Sequence, residues 1–187
     1  MNSPQLCRIA AVQMISGPDV DANLAEADRL IGEAAAQGAR LVALPEYFPL
    51  MSPDETAKIR IRERDGEGPL QAFLKDAARR HKVWLVGGSI PLAADAPDKV
   101  RNSTLVFDDT GRRVARYDKV HLFGFESGRE RYDEAATIEA GNEVWLTLDI
   151  AAKAEKDPSQ RHPRSISTPT PPRAAGTAPG LVSFRRI

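Results

Sequence analysis

The feature that most constrains the fold is a change of sequence pattern near residue 150. Through residues 1–150, short apolar runs alternate with segments whose apolar residues recur every three or four positions. Such alternation is typical of an α/β domain. Residues 151–187 have no apolar periodicity, contain six of the 14 prolines, and carry seven Lys/Arg against two Asp/Glu. We therefore predict an α/β domain over 1–150 and a disordered Pro- and Arg-rich tail over 151–187.

Glycine and proline separate the predicted elements of the α/β part. Amphipathic helices are predicted from Asp21 to Gly38 and from Pro69 onward. Strands are predicted over residues 9–14, 41–44, 83–86 and 144–150, with a hairpin over 103–117. The first strand is expected to be buried on both faces. No glycine-rich phosphate loop follows it, which disfavours a dinucleotide-binding fold.

Charge and composition exclude several classes of protein. The 26 Lys+Arg balance 26 Asp+Glu without a sustained basic run, so we expect no nucleic-acid partner. The N-terminal segment is not signal-like and no run of about 18 apolar residues occurs, so we predict a cytoplasmic protein without a membrane span. The three histidines are far apart in sequence and the single cysteine stands alone, which predicts no metal site.

Two charged residues stand at the ends of predicted strands. Glu46 follows the second strand after Pro45, at the edge where α/β sheets carry their chemistry, and we expect Tyr47 and Phe48 to line a part-apolar pocket there. Such a pocket suits a general base, although a solvated loop glutamate fits the same position. Lys119 ends the hairpin strand, where its ammonium either stabilises an oxyanion or extends into solvent.

Four segments carry, in order, a resemblance to a known family. They are IAAVQM at 9–14, LPEYF at 44–48, VGGSI at 86–90 and YDKVHLF at 117–123. Over residues 8–150 the chain resembles the nitrilase, or carbon–nitrogen hydrolase, superfamily. A further stretch, residues 131–142, is similar to the branch of omega-amidases and deaminated-glutathione amidases. The resemblance implies an α/β fold that forms the N-terminal part of a four-layer α-β-β-α sandwich.

The resemblance also implies a catalytic set. Family members use a glutamate base, a lysine, a cysteine nucleophile and often a second glutamate on a small-molecule amide or nitrile. Matching the motifs assigns the base to Glu46, stabilisation of the tetrahedral species to Lys119, and positioning of substrate and lysine to Glu134. The family implies release of ammonia, no metal or organic cofactor, and assembly into homo-oligomers.

The nucleophile is where this sequence departs from the family. The family cysteine follows the lysine by a few tens of residues, but here the chain after Ile150 enters the Pro-rich tail. The single cysteine, Cys7, opens the first strand and is expected to have no catalytic role. Without a thiolate the covalent route is closed, so we predict an inactive chain. We interpret the abrupt change as a reading-frame shift or a truncated gene, which would leave open strand edges and favour poor solubility.

Two other interpretations remain open at the level of sequence. In one, the chain is a non-catalytic binding or assembly module in which Glu46 and Lys119 hold a ligand that they do not hydrolyse. In the other, Glu46 activates water directly, which requires a carboxylate–water geometry that a sequence does not show.

Overall fold

The computed structural model describes residues 7–128 and 130–143. In chain order the elements are β1 Ile9–Ala11, α1 Val20–Ala36, β2 Leu41–Ala43, α2 Ala57–Arg60, α3 Pro69–His81, β3 Trp84–Val86, β4 Ile90–Ala93, β5 Val100–Phe107, β6 Arg113–Asp118, β7 Gly124–Ser127 and β8 Glu130–Asp133, followed by a 3-10 turn, Glu134–Ala136. The predicted strand over 144–150 and the predicted tail over 151–187 lie outside the described residues.

A mixed six-stranded sheet organises the described chain. Its order is β1-β2-β3-β5-β4, and β6 adds a further pairing to β5. Strands β1, β2 and β3 run parallel, whereas β5 runs antiparallel to its neighbours β3, β4 and β6. The last two strands, β7 and β8, form a separate two-stranded sheet. The predicted hairpin is therefore present as β5 and β6.

Helices α1 and α3 contact each other and pack on the strands β2, β3 and β5. The side chain of Asp19 caps α1 by accepting the Ala22 N–H at 3.1 Å, and Pro69 occupies the first turn of α3. Ile31 of α1 and Leu74 of α3 are both 0% exposed, and burying each contributes about 2–3 kcal/mol. The helices of the described chain are α1, α3 and the shorter α2, and none of them could cross a membrane.

The structure confirms the predicted α/β fold and corrects its first strand. Strand β1 ends at Ala11, and Ile9 is 47% exposed, so the expectation of burial on both faces is wrong. Within the described sheet, β1 pairs with β2 alone. A short apolar run is found in end strands and in central strands, so the sequence pattern did not distinguish the two positions. Strand β4 was not predicted because it contains Pro91, which cannot donate to a ladder and is tolerated at the end of a sheet.

Candidate active site

Glu46 lies in the turn after β2, where the chain following β2 meets the chain following β3. Gly88 has a φ of +54°, and a Cβ at this position would lie 2.1 Å from the Pro45 carbonyl oxygen, so the close approach requires glycine. Tyr47, which follows Glu46 in the chain, has a φ of +53°, and its N–H donates to Ser89 Oγ at 2.9 Å. These contacts hold the turn, while the Glu46 side chain remains 52% exposed.

Lys119 directly follows β6, and the pairing of β6 with β5 decides its position. In that register Ser103 is opposite Asp118, and Ser103 Oγ donates to the Asp118 carboxylate at 2.6 Å. The Lys119 N–H donates to the Asn102 carbonyl at 2.9 Å, and the Lys119 carbonyl accepts the Gly141 N–H at 2.9 Å. The backbone of Lys119 is thus held on both sides, and its side chain is only 24% exposed.

Glu134 begins the 3-10 turn and is 4% exposed. Its Oε2 accepts the Phe123 N–H at 2.8 Å, and its own N–H donates to the Phe123 carbonyl at 3.0 Å. The preceding Asp133 caps the turn by accepting the Ala135 N–H at 3.0 Å. These bonds fix the carboxylate and offset part of the free-energy cost of its burial.

The structure brings Glu46, Lys119 and Glu134 together around one ammonium group. Lys119 Nζ lies 3.0 Å from Glu46 Oε1, and 3.1 and 2.9 Å from the two carboxylate oxygens of Glu134. Burial alone would lower the pKa of Lys119, but the hydrogen bonds and charges of Glu134 and Glu46 outweigh burial and raise that pKa. The ammonium therefore stays charged at neutral pH and can stabilise a negative oxygen beside it.

A cavity of about 370 Å³ opens beside this cluster. Its wall is built from the ends of β2, β3 and β6 and from one face of β5, and includes Glu46, Ser89, Asn102, Tyr117 and Lys119. Phe48 does not belong to this wall, so the prediction that it lines the pocket is wrong. Tyr47 lies beside the cluster, close to the carboxylates of Glu134 and Glu46. Phe48 is 0% exposed in the hydrophobic core, and the Tyr47 ring lies 5.5 Å from Lys58 Nζ. Burial and the carboxylates of Glu134 and Glu46 raise the pKa of Tyr47, which stays a neutral phenol.

Asn102 and Ser89 reach the site, and both were missed from the sequence. Asn102 is 3% exposed and its Nδ2 donates to Glu46 Oε1 at 2.7 Å. Along β5, Asn102 and Thr104 occupy alternate positions and so share a face. The available signal was weak, because Asn102 and Thr104 belong to a run of four polar residues, Arg101 to Thr104, in the first part of this strand. Ser89 offered none beyond its place after two glycines.

Cys7 lies toward the opposite edge of the sheet. The Arg40 N–H donates to the Arg8 carbonyl, so the residue after Cys7 is beside the start of β2, whereas Glu46 follows the end of β2. The four residue steps from Arg40 to Leu44 alone span about 13 Å of extended chain. The thiol of Cys7 is therefore remote from the cluster. Over residues 7–128 and 130–143, no group of three or more His, Cys, Asp or Glu is placed to hold a metal ion.

Comparison with known proteins shows which family this chain resembles. A family model described as carbon-nitrogen hydrolase matches residues 8–155. The chain is 33% identical to a deaminated glutathione amidase of Yersinia enterocolitica over 73% of this chain and 48% of the relative. It is 32% identical to a chloroplastic omega-amidase of Arabidopsis thaliana, over 71% of this chain and 37% of the relative. The chain thus spans about half the length, or less, of the curated relatives it matches.

A solved structure gives the same relationship at the level of the fold. The amidase of Nesterenkonia, a member of the nitrilase superfamily, superimposes with a TM-score of 0.60 at 26% identity, over 75% of this chain and 51% of that one. In another structure of that amidase, acrylamide has added to the active-site cysteine. With a family model that matches most of its length, this chain belongs to the carbon–nitrogen hydrolase family of the nitrilase superfamily.

Proposed function

We propose that Glu46, Lys119 and Glu134 form the part of an amide-hydrolase site that binds the carboxamide of a small molecule, namely the omega-amide of a carboxylic or keto acid. The observation that carries the proposal is the Lys119 ammonium, which lies at the wall of the cavity and contacts the carboxylates of Glu46 and Glu134. The amidases among the relatives favour an amide over a nitrile as the group that is bound.

Each side chain suits one task in amide hydrolysis. The half-exposed Glu46 carboxylate faces the cavity and can take the proton of a thiol. The thiolate then adds to the amide carbon, and the Lys119 ammonium stabilises the resulting negative oxygen. The carbon–nitrogen bond breaks, ammonia leaves with the proton returned by Glu46, and water releases the acid from the thioester. Glu134 holds Lys119 in place throughout.

The thiol is the one component that these residues do not supply. The only cysteine of the 187 residues is Cys7, which the position of Arg8 beside Arg40 keeps away from Glu46. We therefore propose that this 187-residue chain binds the amide and does not hydrolyse it, as in the binding-module interpretation.

A paired binding and turnover measurement tests the proposal. The purified chain is titrated by calorimetry with succinamate, the mono-amide of a four-carbon diacid, with succinate as the matched ligand control, and ammonia release is followed in parallel. We expect succinamate to bind, and Glu46→Gln and Lys119→Ala to weaken that binding. Lys75→Ala, which removes an exposed ammonium from α3, should leave binding unchanged.

Three results would count against the proposal. Binding that is equal in all variants would remove the site assignment. Ammonia release that survives both Glu46→Gln and Lys119→Ala would do the same. Ammonia release that both variants abolish would keep the site and show that the chain is itself an enzyme, contrary to the binding-only proposal.

A further inference from the structure

Asn102 of β5 contacts both Glu46 and Lys119, although none of the chemical steps above involves it. Its side chain is buried, at 3% exposed, and its Nδ2 donates to Glu46 Oε1 at 2.7 Å. Its backbone carbonyl accepts the Lys119 N–H at 2.9 Å. One residue therefore links the Glu46 carboxylate to the backbone of Lys119, two parts of the site that are distant in sequence.

The other end of the Asn102 amide makes no hydrogen bond. Within the described chain, Asn102 Oδ1 is buried and has no donor. A buried acceptor without a partner costs free energy, and an apolar side chain of similar size would avoid that cost. Asparagine is thus a poor choice for stability at this position. What it supplies is the Nδ2 donor, and that donor contacts Glu46.

We propose that Asn102 is a positioning residue that holds Glu46 by Oε1 and so presents Oε2 to the cavity as the hydrogen-bond acceptor for the amide N–H group of the ligand. The inference rests on the proposed function, because it assigns Glu46 a contact with the bound amide. Asn102 Nδ2 and Lys119 Nζ both donate to the same oxygen, at 2.7 and 3.0 Å. The reversed amide would place two acceptor oxygens 2.7 Å apart, so the contact itself defines which end faces Glu46.

Lys119 alone would not hold Glu46. The Glu46 side chain is 52% exposed, and an ion pair with so much solvent access contributes little to order. The ammonium also contacts both carboxylate oxygens of Glu134, which competes for its hydrogen atoms. Without Asn102, we expect Glu46 to adopt several rotamers in which its carboxylate turns to water.

Affinity and stability, measured together, distinguish positioning from a merely structural role. Asn102→Leu removes the donor and also the unpartnered acceptor, so we expect succinamate to bind about ten- to hundredfold more weakly while the melting temperature stays equal or rises. Gln71→Leu is the matched control, because Gln71 of α3 is also a buried side-chain amide, donates to Glu63 and does not line the cavity. It should lower the melting temperature and leave the affinity unchanged. Unchanged affinity with a lower melting temperature in Asn102→Leu would overturn the proposal.

A crystal structure of Asn102→Leu provides a readout that does not depend on any ligand. We expect Glu46 in more than one rotamer there and in a single rotamer in the wild-type chain. A Glu46 carboxylate that keeps its wild-type position in the variant overturns the proposal. If wild-type protein fails to bind succinamate, the proposed function fails, and the rotamers of Glu46 still decide the role of Asn102.

Discussion

The ion pair between Lys119 and Glu134 gives the sharpest quantitative prediction. Replacing Lys119 by Met keeps the length and the apolar stem of the side chain but removes the ammonium. The Glu134 carboxylate, 4% exposed, then keeps the Phe123 N–H as a partner and loses its cation. A buried carboxylate without a cation lowers the free energy of unfolding, whereas a neutral amide in place of that carboxylate does not carry this cost.

The geometry sets the size of the effect. At 2.9 Å and an effective dielectric constant of about 20, the attraction between the charges of Lys119 and Glu134 is about 6 kcal/mol. Desolvation of both groups offsets part of this, and breaking such a pair from one side costs about 3–5 kcal/mol. The pair with Glu46, which is 52% exposed, contributes only about 0.2–1 kcal/mol. We therefore expect Lys119→Met to lower the free energy of unfolding by about 3–4 kcal/mol.

A double-mutant cycle in urea at neutral pH measures this coupling. Lys119→Met, Glu134→Gln and the double variant are compared with the wild-type chain, with circular dichroism as the signal and an unchanged m-value as the condition for comparison. The decrease in the free energy of unfolding of the double variant should be about 2 kcal/mol smaller than the sum of the decreases in the two single variants. The matched cycle with Glu46→Gln in place of Glu134→Gln should couple by less than about 1 kcal/mol.

Either of two results would refute this reasoning. Additive losses for Lys119→Met and Glu134→Gln would show that the contact does not contribute to stability. Equal coupling of Lys119 to Glu46 and to Glu134 would show that burial does not decide the strength of the two pairs.

Three further predictions concern the surroundings of the site. Gly88→Ala should destabilise the chain by about 3 kcal/mol or more, measured by urea unfolding, because the added Cβ would meet the Pro45 carbonyl at 2.1 Å; a loss under about 1 kcal/mol would contradict this close approach. Glu63→Ala should lower the free energy of unfolding by about 1–2 kcal/mol in the same assay, because the buried Glu63 carboxylate accepts two backbone N–H groups in the first turn of α3. An unchanged urea midpoint would mean that Glu63 does not cap this helix. The pKa of Lys119 is raised above 10.5, so the folded chain holds this proton more tightly than the unfolded chain. The stability difference between wild type and Lys119→Met should be full below pH 10.5 and shrink as the pH rises through the folded pKa, and thermal melts in which it grows with pH would contradict this sign.

The parts of the fold that were predicted correctly depend on local chemistry. Helices α1 and α3 follow from apolar spacing, from Asp21 in the first turn of α1 and from Pro69 at the start of α3, signals that lie within a few residues of the elements themselves. The hairpin of β5 and β6 follows from two strand-like runs around a Gly-containing turn. Strand β4 was missed because Pro91 reads as a strand breaker, and only its position at the end of the sheet makes Pro91 acceptable.

The site was predicted unevenly for a related reason. Motif resemblance singled out Glu46, Lys119 and Glu134. In the structure, the Lys119 ammonium lies within hydrogen-bonding distance of both carboxylates. Their catalytic roles remain predictions. The lining of the pocket was predicted wrongly, because adjacency in sequence suggested Phe48, whereas the turn sends that side chain into the core. Asn102 was missed because its importance depends on which residues oppose it across the sheet.

The sequence by itself determined that residues 1–150 alternate between strand and helix patterns, and its ordered motifs were enough to indicate the carbon–nitrogen hydrolase family. Both are properties of short segments, which keep their apolar spacing and residue types wherever the chain runs. Only the tertiary structure decided that Glu134 is buried while Glu46 is half exposed, and that Asn102 joins Glu46 to Lys119. These features depend on strand register and on two contacts whose partners are separated by 56 and by 73 positions in the sequence, and no local pattern encodes such contacts.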